Sequence, residues 1–246
     1  SLASVLWLRD HEPEAFDQAA VFAQTGTLVF RWLTGETRAD WTNASFLGLY
    51  DYRARDWSQE LADAFGVDLG SFAPVSAPHS TAPLARDRAE ELGLSPGTPV
   101  ALGGLDGAMD SLGVGAIRPG DAFDLSGTSE MIAVCLDHPV APPELLARWH
   151  VVPKVWVLIG AISTPGAAWQ WIGRTLGIQE KDGAGTPHQR MAELAAASPP
   201  GARGVVFLPH MMGERAPIWD PHARGVFSGL SLSTTQGDMI RAVMEG

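Results

Sequence analysis

Apolar positions along the chain fall into two rhythms, a helical one that dominates the first third and an alternation of strands and helices afterwards. Leu2, Val5, Leu6 and Leu8 share one side of a helix in SLASVLWLRDHEPEAF. Leu28, Phe30, Trp32 and Leu33 repeat at helical spacing up to Gly35, a natural C-terminal glycine. Asp40 to Ser45 supply turn and capping residues. DWSQELADAFGV predicts a short amphipathic helix capped by Ser58 and closed by Gly66. Gly70 to Pro83, rich in Pro, Ser and Ala, reads as a connecting stretch. RDRAEELGL predicts a helix, and Ser95 to Thr98 a turn ahead of the apolar strand PVALGG.

The second rhythm begins there, with a strand, Gly-Gly-Leu-Asp, and a helix of small residues. AFDLSGTSEMIAVCL predicts a strand-turn-strand hairpin, and HVVPKVWVLIGAIS two more strands. PGAAWQWIGRTLG and MAELAAA predict helices, GVVFLPHM a strand, and the chain closes on an amphipathic helix opening at Asp238. The mixture predicts an α/β fold with a boundary in Ala116 to Asp121, dividing residues 1–118 from 119–246. No internal repeat at a solenoid period is present.

Composition narrows the function. Apolar residues make up 46% and charged residues 18%, which describes a globular chain. The 17 Lys and Arg against 28 Asp and Glu give a formal charge of −11, with no basic face for nucleic acid. An anionic substrate stays compatible, because backbone amides and a metal ion can recognise it locally. No apolar run approaches the roughly 18 residues of a membrane span. The opening residues do not read as a secretory signal, so a cytoplasmic location is expected. Cys135 stands alone in an apolar run and is expected to be buried and inert. The seven histidines are dispersed without metal-ligand spacing, and neither a Walker A nor a dinucleotide glycine pattern occurs. Both ends enter or leave helical patterns abruptly, which leads us to expect a piece of a longer protein.

Two places could carry chemistry. Asp106 follows an apolar strand at its carboxyl end, where open α/β sheets place ligands, with Gly103, Gly104 and Gly107 allowing close approach. Position alone leaves open that Asp106 only caps the next helix. Asp110, one turn later, reads as a first-turn acid of that helix. The turn Ser126-Gly127-Thr128-Ser129 could surround phosphate oxygens, or be an ordinary hairpin tip.

The segment GERAPIWDPHARGVFSGLSLSTTQGDMIRAVMEG, Gly213 to Gly246, resembles the second signature of the FGGY family of carbohydrate kinases, relatives of glycerol kinase, gluconokinase and xylulose kinase. The block GTPVALGGLDGAMDSLGVGA and the stretch Asp40 to Ser45 are also similar to that family, in family order. The resemblance implies a partial actin-like ATPase, ribonuclease H-like two-domain sugar kinase fold. Residues 1–118 would be the latter part of the sugar-binding domain and 119–246 the first part of the nucleotide-binding domain. It implies ATP and Mg²⁺, with Mg-ATP between the domains, and a sugar or polyol acceptor of pentulose or hexulose type. Asp106 becomes the general base, with Gly107 beside it at the substrate; Gly127 and Thr128 approach the γ-phosphate; Gly166 and Gln170 line the nucleotide side. The GERAP segment is implied to be a packed structural loop, and Trp169 and Trp171 to be packing residues. The Asp-x-Gly-Thr loop and the adenosine-binding segment of such kinases do not occur in these 246 residues, so the isolated piece is expected to be inactive. No membrane or nucleic-acid partner is implied, and a homodimer is left open. The alternatives are a non-catalytic sugar-sensing or regulatory protein that kept the kinase fold, and a hydrolase pairing Asp106 with Asp110 or Asp124.

Overall fold

The computed structural model describes residues 1–127, 129–178 and 185–246. They form two units. One comprises Ser1–Phe123 with Val134–Val140 and Ala147–Leu158, and the other Asp124–Ala133 with Ala141–Leu146 and Ile159–Gly246.

The first unit opens with α1 (Leu2–His11) and α2 (Pro13–Gln18). Leu2 and Val5 bury their side chains against Leu49, Ala62, Val67 and Phe72. α3 (Thr25–Thr34) stops at Gly35, which adopts φ 81° and returns its amide to the carbonyl of Arg31. β1 (Ala39–Asp40) leads directly into α4 (Trp41–Leu47), and β2 (Tyr50–Asp51) and β3 (Asp56–Trp57) form a small hairpin. α5 (Gln59–Phe65) is capped by the Ser58 hydroxyl and closed by Gly66 at φ 64°, as its sequence predicts. The stretch expected to be only connecting carries two short strands, because its backbone finds partners elsewhere. β4 (Val75–Ser76) pairs in parallel with β1, and β5 (Thr81–Pro83) antiparallel with β6 (Pro99–Ala101). α6 (Arg86–Leu92) lies between β5 and β6 in sequence, and α7 (Asp106–Gly113) follows β6.

A four-stranded sheet runs in the order β7-β8-β10-β9, with β7 (Ala122–Ser126), β8 (Glu130–Leu136), β9 (Leu146–Trp149) and β10 (Trp156–Ile162). Here the register differs from the expectation of two strands in His150 to Ser163. Residues 150–155 are the turn: the amide of His150 donates to the carbonyl of Val155, and the amide of Val152 to the His150 ring. The strand therefore ends at Trp149. Cys135 on β8 is fully buried, and burial pushes its thiol pKa up.

In the second unit α8 (Pro165–Thr175), α9 (Pro187–Ala196) and α10 (Gln236–Glu245) pack with the antiparallel pair β11 (Val206–Leu208) and β12 (Val226–Ser228). Ile172, Met191, Phe207 and Ile240 are the large buried side chains of that core. α10 begins two residues before Asp238, because Thr235 is the cap and Asp238 the reciprocal acid of a capping box.

Candidate active site

The candidate site is built where α7 begins. Leu105 occupies the N-cap position and gives no side-chain cap, so Asp106 is the first helical residue. Its carboxylate accepts a 2.6 Å hydrogen bond from the neighbouring Gly107 amide and is exposed. Among the described residues its other oxygen has no hydrogen-bond partner. Asp106 thus satisfies one amide of its own turn and keeps acceptor capacity for something else. Asp110, one turn on, is also exposed.

Distant residues hold this turn in place. The buried Asp40 carboxylate accepts from the amides of Thr42 (2.9 Å) and Asn43 (3.0 Å) and from the Asn43 side chain (2.7 Å), capping α4. It also accepts from the Thr42 hydroxyl. That hydroxyl in turn accepts a 2.8 Å bond from the amide of Leu105. The approach is tight next door: a Cβ on Gly104 would lie 3.0 Å from both Thr42 Oγ1 and Val151 Cγ1, so a larger residue there would push on both side chains. Gly103 is needed for its φ of 76°.

The body of α7 is held by His150, which is fully buried. Its Nδ1 accepts the Val152 amide at 2.8 Å, so the proton sits on Nε2, 2.7 Å from the Ser111 hydroxyl. The Ser111 hydroxyl donates in turn to the carbonyl of Ala108 at 2.6 Å. Burial lowers the imidazole pKa; the Ala116 carbonyl opposes this and the nearby Arg148 charge adds to it.

Arg148 on β9 is the residue that sequence reasoning missed. It is 2% exposed, and among the described residues its Nε and Nη2 have no hydrogen-bond partner. Burial pulls its pKa down to about 10, while the carboxylates of Asp106 and Asp110 pull the other way. A lone arginine in an apolar strand was the only signal, and nothing local distinguishes it from a surface arginine.

The nucleotide-side candidates lie in the second unit. Gly127 is exposed, its amide donates to the Ser129 carbonyl at 2.8 Å, and a Cβ there would meet only that oxygen, at 3.7 Å. Nothing in the described protein requires a glycine at this position. Thr128 lies outside the described residues. Gly166 is half-buried in the first turn of α8 and Gln170 exposed one turn later, on the same face. That first turn has no side-chain cap and no acid, because the Thr164 hydroxyl donates to the Pro209 carbonyl instead. Trp169 donates to His188 and Trp171 stacks near Phe207 and Phe227.

The GERAP loop is bonded within its own unit. Glu214, nearly buried, accepts from the amides of Ser163 and Arg215 and from His210, each at 2.9 Å. Burial would raise its carboxyl pKa, but these bonds hold it below the usual value. Among the described residues no cluster of three His, Cys, Asp or Glu could hold a metal, and no helix is long and apolar enough to cross a membrane.

Residues 1–113 match the FGGY family of carbohydrate kinases, N-terminal domain, and residues 125–246 match its C-terminal domain. The chain belongs to the FGGY family of carbohydrate kinases. It is 29% identical to the gluconokinase of Bacillus subtilis and 30% identical to a xylulose kinase of Staphylococcus epidermidis, each match taking in 100% of this chain and 49% of the relative. The ligand-bound xylulose kinase from Lactobacillus acidophilus superposes on 100% of it with a TM-score of 0.91 at 31% identity, covering 49% of that structure. The chain spans about half the length of the curated relatives it matches. Its fold is accordingly a part of the FGGY kinase fold, of the actin-like ATPase kind expected from the sequence.

Proposed function

We propose that this chain is part of an ATP-dependent kinase for a sugar or polyol hydroxyl, of pentulose or hexulose type, with Asp106 as general base. In this reading residues 1–118 belong to the sugar-binding domain and 119–246 to the nucleotide-binding domain, and the reaction is cytoplasmic, where ATP is available.

Support comes first from the state of Asp106. An exposed carboxylate, with one oxygen unpartnered among the described residues, stands at a helix start whose backbone is fastened from outside by Thr42. A merely capping aspartate would not require that fastening. The acceptor hydroxyl gives its proton to the Asp106 carboxylate as its oxygen bonds to the γ-phosphorus of ATP. The bond from that phosphorus to the bridging oxygen breaks, and ADP leaves with the electron pair. Positioning and charge neutralisation carry most of such a transfer, so one well-held base suffices. Gly107, buried beside Asp106, lets the acceptor approach the backbone.

ATP fits the second unit's candidates. The uncapped, acid-free first turn of α8 around Gly166 presents amides that favour an anion, and Gly127 leaves room that a side chain would fill. Gln170 and Thr128 complete the proposed nucleotide set. The described residues do not form a metal-binding cluster. Mg²⁺ bound with the nucleotide would supply neutralising charge at the phosphates. The names of the relatives, gluconokinase and xylulose kinase, favour a polyhydroxylated acceptor.

The test is Asp106→Asn in the full-length protein. Sugar phosphorylation should fall by about 10²- to 10⁴-fold, with ATP binding and thermal stability preserved. Turnover at the wild-type rate would remove Asp106 from this role.

A further inference from the structure

Within the second unit, the loop of residues 209–216 is joined to the chain entering α8 by four hydrogen bonds. The Ala161 amide donates to the Ala216 carbonyl (3.2 Å) and the Ser163 amide to Glu214 Oε1 (2.9 Å). The Thr164 hydroxyl donates to the Pro209 carbonyl (2.7 Å), and Arg215 Nε to the Ser163 hydroxyl (3.3 Å). Glu214 is the centre of this seam. Its side chain is 2% exposed, and a carboxylate is costly to bury unless its oxygens are well bonded. Here Oε1 accepts the amides of Ser163 and Arg215, and Oε2 faces the His210 ring. Packing alone does not call for an acid at this place, since an apolar side chain fills such a space without that cost.

The consequence appears one turn further on. Thr164 is the N-cap of α8, where a threonine oxygen ordinarily accepts from the second or third helical amide. Its hydroxyl is instead turned onto Pro209, and the cap is missing. Pro165 has no N–H, so the amides of Gly166 and Ala167 are left without an acceptor among the described residues. We propose that Glu214 is a positioning residue for nucleotide binding. By holding the Ser163 amide it keeps Thr164 on Pro209, and so keeps the Gly166 and Ala167 amides open to a phosphate oxygen. The assignment rests on the nucleotide reading of α8 given above, and it adds what sets that turn. Released from the seam, Thr164 rotates to cap its own helix, and its oxygen competes with the phosphate for those amides.

The experiment is calorimetric titration of the full-length protein with ATP, alongside hydrogen exchange with and without ATP and thermal melting. In the wild type, ATP should protect the Gly166 and Ala167 amides from exchange. Glu214→Ala should weaken ATP by about 10- to 100-fold, the equivalent of losing a hydrogen bond to a charged group, and abolish that protection. Glu214→Gln loses the charge but keeps an oxygen for the two amides, and its NH₂ can donate to His210 Nδ1; it should recover most of the affinity. Glu214→Asp keeps the charge but is shorter by one methylene, and should bind ATP more weakly than the glutamine variant; this pair carries the contrast if the alanine variant does not fold. A role in packing alone would lower the melting temperature and leave the ATP affinity of the folded protein unchanged. That result, or a glutamine variant no better than aspartate, would overturn the assignment while leaving the nucleotide reading of α8 in place. A wild type that binds ATP without protecting Gly166 and Ala167 would end both the α8 reading and this assignment. A wild type that binds no ATP would end the kinase reading itself.

Discussion

Thr42→Val removes one oxygen at the junction between α4 and α7 while keeping the shape of a fully buried side chain. Two interactions go with it. The hydroxyl's bond to the Asp40 carboxylate is a charge-assisted one, of the class that contributes about 1.5–3 kcal/mol. The Leu105 amide, 2.8 Å from the same oxygen, loses its acceptor, and stranding a partly buried donor costs about 1–3 kcal/mol. Asp40 is not orphaned, because two amides and the Asn43 side chain still donate to it. The lower ends of both ranges therefore apply, and the expected loss is about 2.5 kcal/mol. Thr42→Ser keeps the hydroxyl and should lose less than about 1 kcal/mol, the scale of one buried methyl. Urea denaturation of the two variants and the wild type reads the difference directly. In the full-length enzyme the valine variant should also lower kcat more than it raises the acceptor KM, since Leu105 sets where Asp106 stands. Equal stability of the valine and serine variants, or a valine variant within 1 kcal/mol of wild type, would refute the claim that this hydroxyl fastens the turn.

The second unit offers a steric test: Gly229 has φ 80°, and a Cβ there would lie 2.2 Å from the Gly204 carbonyl oxygen, so Gly229→Ala should destabilise by more than about 3 kcal/mol, or abolish soluble expression. Asp238 accepts from the Ser198 hydroxyl and from the amide and hydroxyl of Thr235, which, with help from Arg203, hold its pKa down from 3.8 to about 2. Its contribution is complete above pH 4 and is lost as pH falls toward 2; in an acid titration Asp238→Asn should flatten that limb of the stability curve. His150 is held neutral by burial, so its folded pKa lies below the ordinary 6.5, and the unfolded chain binds the extra proton. Stability from this residue is present above pH 6.5 and declines below it, and His150→Gln should remove that slope, measured by urea denaturation across pH 5 to 7.5.

Punctuation residues could be read in the sequence because their effect is local. Gly35 and Gly66 sit at positive φ and Ser58 caps its helix, each within one turn of the residues that announce it. The place of Asp106 at a helix start after a strand was readable for a similar reason, a carboxylate between glycines after an apolar run. The strand boundary at Trp149 was not, since HVV has strand composition and the bonds from Val152 to the His150 ring and from His150 to the Val155 carbonyl turn the chain there. Arg148 was hidden more deeply. Its meaning comes from burial, which is set by segments far away in sequence. The Asp40 stretch was readable as a cap, but its second task, receiving Leu105, depends on a partner 63 residues later.

The fastenings around α4 bear on the order in which the molecule assembles. Trp41 reaches His150 across 109 residues, Ser45 receives the amide of Trp149 across 104, and Thr42 meets Leu105 across 63. Closing such long loops costs entropy that helix turns do not, and chains dominated by distant partners fold slowly. Asp106 should thus reach its final pose only after the surrounding helices have formed, which predicts low φ-values at Thr42 and Trp41 against higher ones inside α5.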